Sequence, residues 1–302
     1  MGRIRNQSAL LIALAAMLGA QPTFRVDVPL VRLLVSVKDA KGALVGSLEK
    51  QDFTVYDCGV KQEIKVFEHN TTLPLSVSVL IDISGSTAKD LPYEVSSITK
   101  FLKALLVEGN TDDAASLYSF NDQVTLLSGF TRRQQRLTQS LSQLKASAGT
   151  SLYDAFYLSS QRVRDREGRH AIVVVTDGGD TTSGRKYRDA IEAIQRSEAV
   201  VYPIVVVPIT NDAGRNLGGE HVLQQFAADT GGRVFAPMIG AQMDTAFADI
   251  LRDLRTQYLV AYYPHNLPAD APRFRTVKVE LSRKDLHAST RTGYYGDAAP
   301  LR

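Results

Sequence analysis

The sequence contains one cysteine, Cys58, in 302 residues. No internal disulfide can form, so the chain must be held together by burying a core. Cys58 lies too far from the apolar N-terminal stretch to be a lipid-anchored terminus, and is read as a small buried filler. No apolar run reaches the roughly 20 residues that a membrane-spanning helix needs. His69, His170, His221, His265 and His287 are scattered, and no H-E-x-x-H occurs, so a zinc site is not expected. Neither G-x-x-x-x-G-K-[ST] nor G-x-S-x-G is present, which removes the phosphate loop and the nucleophile elbow.

Net charge is also scarce. The formal charge is +3. Arg3 and Arg5 precede an apolar stretch, Ala9 to Leu18, followed by Gly19-Ala20-Gln21. A basic start, a short apolar centre and small residues read as a signal peptide over residues 1–20, which implies export to the periplasm, the cell surface or the exterior. Its removal takes away two arginines and no acid, leaving 33 basic against 32 acidic residues. So balanced a chain offers no electrostatic case for nucleic acid, and the mature chain carries no membrane span.

Hydrophobic residues make up 44% of the chain, ordinary for a globular protein. Residues 21–72 alternate in short runs: Val26, Val28 and Leu30; Leu33, Val35 and Val37; Phe53, Val55 and Tyr56; Ile64, Val66 and Phe67. That is the period of antiparallel strands with one wet face. From Pro74 the pattern changes. Leu75–Ile81, Ala171–Val175 and Val200–Ile209 are nearly continuous apolar runs, as expected of parallel strands covered on both faces. Helical periodicity appears over Tyr93–Val107, Gln134–Leu144, Tyr187–Arg196, His221–Ala228 and Ala246–Leu254. This alternation predicts an α/β fold over residues 73–256: a doubly wound, mostly parallel sheet with helices on both faces. Over residues 257–302 the strand-like runs Tyr258–Tyr263, Phe274–Leu281 and Ala288–Tyr294 return. Either flank alone would be a small sheet with open edges, so the two are expected to pair into one small β-sandwich around the inserted α/β block.

The segment Leu80-Ile81-Asp82-Ile83-Ser84-Gly85-Ser86-Thr87 directly follows the first buried strand, where open parallel sheets bind ligands. Asp82, Ser84 and Ser86 alternate on a turn expected to depend on Gly85, and all three offer oxygen. An oxygen-only set suits Mg²⁺, Ca²⁺ or Mn²⁺ rather than Zn²⁺. Two further donors follow other elements: Thr150 on a glycine loop before a helix, and Asp177 at the end of another buried strand. Serine and aspartate also favour caps and turns, which is the competing reading of these positions. Asp154 is read as a structural helix residue and Asp180 as a loop or supporting acid.

D-I-S-G-S at Asp82–Ser86, G-T-S-L-Y-D-A at Gly149–Ala155 and T-D-G at Thr176–Gly178, in that order, resemble the metal-ion-dependent adhesion site of von Willebrand factor A domains. The resemblance spans roughly residues 73–256. The flanks, including Gln51–Tyr56 and Gly293–Tyr295, are similar to a bacterial subgroup of secreted proteins carrying that domain. The resemblance implies a Rossmann-like fold and one divalent cation, Mg²⁺ first, with Ca²⁺ or Mn²⁺ as alternatives. Ser84, Ser86 and Thr150 would coordinate through hydroxyls, and Asp82 and Asp177 directly or through water. Thr87 stands where many relatives carry methionine, at a position that is not a ligand. The implied function is adhesion-type binding of a protein or peptide that donates an Asp or Glu carboxylate, and no enzymatic activity. The competing classes are a scaffold with a vestigial metal site and a metal-assisted hydrolase, for which Asp180 is the one nearby base.

Overall fold

The computed structural model describes residues 30–69, 73–87, 89–206, 216–238, 240–268 and 270–297. The expected signal peptide, the strand start at Val26 and Val28, the 207–209 end of the apolar run Val200–Ile209, and residues 211–215 of the segment Asn211–Gly219, a surface loop expected to border the site, lie outside the described residues.

The centre is a five-stranded sheet. Its strands are β5 (Leu75–Asp82), β6 (Ala114–Phe120), β7 (Val124–Thr131), β8 (Arg169–Thr176) and β9 (Val200–Val205), in the order β7-β6-β5-β8-β9. β5 runs parallel to β6 and β8, β8 is parallel to β9, and β7 is antiparallel to β6. Every residue of β5, β6, β8 and β9 is buried. Alternation then sorts the side chains between two cores. Leu75, Val77, Val79 and Ile81 pack on one face with Ile98, Phe101 and Leu105 of α1 (Leu91–Leu106), Leu137 of α2 (Gln134–Leu141) and Phe247 and Leu254 of α6 (Ala241–Thr256). Leu80, Ile172 and Val174 face the other core. There they meet Phe156 of α3 (Leu152–Arg164), Ile194 of α4 (Tyr187–Arg196) and Phe226 of α5 (Leu217–Thr230). Two polar strand residues on that face pair with each other: the Ser78 and Ser116 hydroxyls are 2.9 Å apart.

The flanks pair with each other. β1 (Val31–Asp39) lies antiparallel to β10 (Tyr258–Tyr262) with Val31 opposite Tyr262, and β10 lies antiparallel to β4 (Val66–His69). β2 (Phe53–Asp57) pairs with β3 (Val60–Gln62) and with β11 (Phe274–Leu281). The expected run Ala288–Tyr294 divides into β12 (Leu286–Ser289), which joins β1, and β13 (Gly293–Tyr295), which joins β11. The two four-stranded sheets share one core of Leu33, Val35, Phe53, Val55, Tyr258 and Tyr262. Asp57 is buried in it, its Oδ2 accepting from the hydroxyls of Tyr262 and Tyr294 at 3.0 and 2.7 Å. At the join to the α/β block, Glu198 takes Arg32 at 3.0 Å and Arg291 at 3.2 Å.

Two expectations need correcting, and β6 and the antiparallel β7 add two strands where the sequence reading assigns no element. Cys58 is half-buried at the tip of the β2–β3 hairpin rather than a core filler. It and Gly59 both take positive φ, 47° and 80°, the conformation a tight two-residue hairpin requires. Gly85 is not among the positive-φ glycines, and a Cβ added there would meet open space, so the Asp82 turn does not depend on it.

Candidate functional site

β5 starts the sheet, β6 and β7 are added on one side, and β8 and β9 on the other. Strand order therefore reverses between β5 and β8, and the crevice beyond their carboxyl ends is where such sheets bind ligands. Asp82 ends β5, and Thr176, followed at once by Asp177, ends β8.

The two ends are locked together. Asp82 is fully buried, and its Oδ2 accepts a 2.6 Å hydrogen bond from the Thr176 hydroxyl, while Oδ1 accepts from the Ser84 backbone N–H at 2.8 Å. Thr87 Oγ1 lies 3.0 and 3.1 Å from the carbonyl oxygens of Asp82 and Ser84, closing the turn. A methionine at that position could not make this bond. The Ser84 and Ser86 hydroxyls lie 3.0 Å apart, Ser84 buried and Ser86 exposed.

A third loop is stapled to both. Ser147 N–H donates to Ile83 O at 2.8 Å, beside Asp82. Thr150 N–H donates to the Thr181 hydroxyl at 3.0 Å, and Thr150 O accepts from the Thr181 and Thr182 N–H groups at 2.8 and 3.2 Å. Gly149 allows this path: its φ is +83°, and a Cβ would sit 2.8 Å from Asp122 Cβ. Thr150 is buried at the edge of the crevice, and the α3 cap position falls on Ser151 rather than on Thr150.

Two acids outside the expected donor set have structural occupations. Asp154 accepts from the Gly184 and Arg185 N–H groups, both at 2.9 Å, tying α3 to the loop after β8. Asp180 accepts from Tyr153 N–H at 3.1 Å and from the Ser183 hydroxyl at 2.6 Å. With both bonds on one oxygen, Asp180 braces the start of α3.

The electrostatics favour a cation. Burial pushes the Asp82 carboxyl up to about 6. Hydrogen bonds from Thr176 and Ser84 offset part of that, and the negative charge of Asp177 adds to it. The half-buried Asp177 is thus close enough for its charge to be felt at Asp82. Two carboxylates with neutral hydroxyls, all oxygen, match the donor chemistry of a hard divalent ion. Among the described residues no three His, Cys, Asp or Glu side chains group as a metal site. Any cation here must therefore draw on Ser and Thr oxygens.

Sequence reasoning missed two residues. Thr176 sits inside the T-D-G motif, and its role emerges only when the ends of β5 and β8 meet. Glu94, in the first turn of α1, is fully buried. Burial, then the charges of Asp82, Asp90 and Asp177, push its carboxyl up to about 8. Its one sequence signal was an acid three residues after Leu91 and four before Ile98, on the apolar stripe.

Residues 77–179 match the family model of the von Willebrand factor type A domain. Among solved structures, the chain is similar to the vWF domain of the type V pili tip protein Mfa5 from Porphyromonas gingivalis. Identity is 15% and the TM-score 0.50, covering 61% of this chain and 96% of that one. It is also similar to the conserved hypothetical protein BatB from Bacteroides thetaiotaomicron, at 19% identity and a TM-score of 0.48, covering 60% of this chain and 99% of that one. At such identity the likeness is one of fold. No curated protein matches the chain.

Proposed function

We propose, from the premise that this chain contains a von Willebrand factor type A domain, that it is an exported, metal-dependent protein-binding module. One divalent cation, Mg²⁺ before Ca²⁺ or Mn²⁺, would be held by Asp82, Ser84, Ser86, Thr150 and Asp177. The observation that carries this reading is the joining of three loops at the switch point. Thr176 fastens the end of β8 to Asp82, and the Ser147–Ser151 loop is hydrogen-bonded to both neighbours.

The chemistry follows from charge. Two carboxylates nearly neutralise a divalent ion. With one of them acting through water, a bound ion would keep a strong field and could take a further oxygen donor; Ser86 is the exposed member of the set. A carboxylate from a partner's Asp or Glu suits that role, because the contact is charge-assisted and strengthens as water is excluded. The loop Thr181–Tyr187, anchored on Thr150 and Asp154, would help set specificity. No helix among the described residues is long and apolar enough to cross a membrane.

Calorimetric titration with Mg²⁺, Ca²⁺ and Mn²⁺ tests the metal. Wild type should bind and Asp82→Ala should not; equal binding by both removes the claim. Capture of envelope proteins with and without chelator tests the role. A partner retained in chelator would make the chain a scaffold.

A further inference from the structure

The buried stripe of α1 runs through Leu91, Ile98, Phe101, Leu102 and Leu105, and Glu94 interrupts it. Glu94 is 0% exposed, and neither carboxylate oxygen has a hydrogen-bond partner. An ionised carboxylate in that position costs several kcal/mol unless a positive charge or a set of donors meets it. Protonation removes the charge but leaves the acid O–H equally without an acceptor. The first turn of a helix favours negative charge, yet Asp90 already occupies the N-cap, so the dipole alone does not account for a second, buried acid.

The surroundings say what the missing partner is. The charges acting on Glu94 besides burial are all negative, and two of them, Asp82 and Asp177, belong to the candidate metal site. Geometry agrees: Glu94 lies in the first turn of α1, whose Asp90 and Leu91 N–H groups donate to Thr87 O at 3.0 and 3.1 Å beside the Asp82 turn, and none of the hydroxyls there reaches it. A group that satisfies it must be positive or a donor, and must reach the buried first turn of α1 from the side of the Asp82 turn.

We propose that Glu94 is a further carboxylate of the metal site, accepting a hydrogen bond from a water on the cation and so tying the ion to helix α1. This rests on the metal reading above and adds a residue that the adhesion-site motifs do not contain. Such outer carboxylates orient coordinated groups and raise metal affinity. With Glu94 ionised, the site presents three negative charges to a divalent ion, which favours retention of the ion between partners.

The test is titration of MgCl₂, CaCl₂ and MnCl₂ into the full chain, wild type and Glu94→Gln, with urea unfolding of both in chelator. Glu94→Gln should bind its preferred cation roughly 10- to 100-fold more weakly. In chelator it should be more stable than wild type, because a buried charge is gone. A purely structural glutamate would give the opposite pair: lower metal-free stability and unchanged affinity. Affinities within about twofold, with wild type binding normally, overturn the assignment and leave the metal reading standing. A wild type that binds no cation overturns both. Should Glu94→Gln not fold, Glu94→Leu, which continues the apolar stripe, is expected to fold and to lose the same affinity. Failure of both to fold makes Glu94 a structural requirement and overturns the proposal.

Discussion

Raising the pH on chelator-treated protein should weaken the fold, and the acids at the crevice set by how much. Asp82 and Glu94 hold their protons more tightly folded than unfolded, with carboxyls pushed up to about 6 and about 8 from ordinary values of 3.8 and 4.5. An acid with a raised folded pKa contributes stability that is complete below its unfolded pKa. That stability is lost as pH climbs through the folded value, because the unfolded chain releases the proton first. Between about pH 5 and about pH 8, these shifts correspond to a loss of about 3 kcal/mol from Glu94 and about 1 kcal/mol from Asp82. Other groups are shifted by folding as well. Burial holds His170 low, which makes it stabilising as pH rises, and burial raises Asp113, which acts in the opposite direction. Both are present in wild type and in Glu94→Gln, so the difference between the two proteins isolates Glu94. The assay is urea unfolding at several pH values in chelator, repeated with saturating Mg²⁺. Glu94→Gln should lose about 3 kcal/mol less than wild type across the range in chelator. In Mg²⁺ the weakening contributed by Asp82 and Glu94 should disappear from wild type, since the ion takes up the released charge. Parallel pH profiles for the two proteins in chelator would refute the reasoning.

Removing the clasp between β5 and β8 by Thr176→Val keeps the shape and deletes the 2.6 Å bond to Asp82. It should cost about 1.5–3 kcal/mol in urea unfolding, the range for a hydrogen bond to a charged group, and an unchanged midpoint would count against the clasp. The glycines of the site should separate cleanly. Gly149→Ala forces a side chain into φ +83° and against Asp122, and should cost more than about 1 kcal/mol. Gly85→Ala, in open space, should stay within about 0.5 kcal/mol, and a reversal of that order would contradict the turn geometry.

Much of this architecture could be read in the residues. β5 and β8 announce themselves because both faces are covered, so their runs are continuous and apolar. α4 announces itself because one face is wet and the period is clean. Asp82, Ser84, Ser86, Thr150 and Asp177 stand out in sequence as candidate donors because donor spacing and glycine loops are local patterns. The parts that escaped depend on partners distant in sequence. β6, Ala-Ala-Ser-Leu-Tyr-Ser-Phe, is wholly buried, and its Ser116 is satisfied there by the Ser78 hydroxyl of β5. Glu94 falls on the apolar stripe in sequence, but its lack of a partner emerges only when α1 is set against the sheet. Gly85 was credited with a turn that the Thr87 hydroxyl and the Asp82 carboxylate close by themselves.

The closure of the sandwich bears on how the molecule is made. β1 emerges from the ribosome early, and its neighbour β10 follows only after the whole α/β block, since Val35 lies opposite Tyr258. At synthesis rates of roughly 5–20 residues per second, the wait is on the order of ten seconds or more. During it, Leu33 and Val35 of β1 have neither neighbouring strand, β10 nor β12, to join, a situation that invites pairing between nascent copies. A holding chaperone, or rapid folding of the central block to bring the two strands within reach, would shorten that exposure. Slow, long-range strand pairing should therefore be the last event as the chain matures.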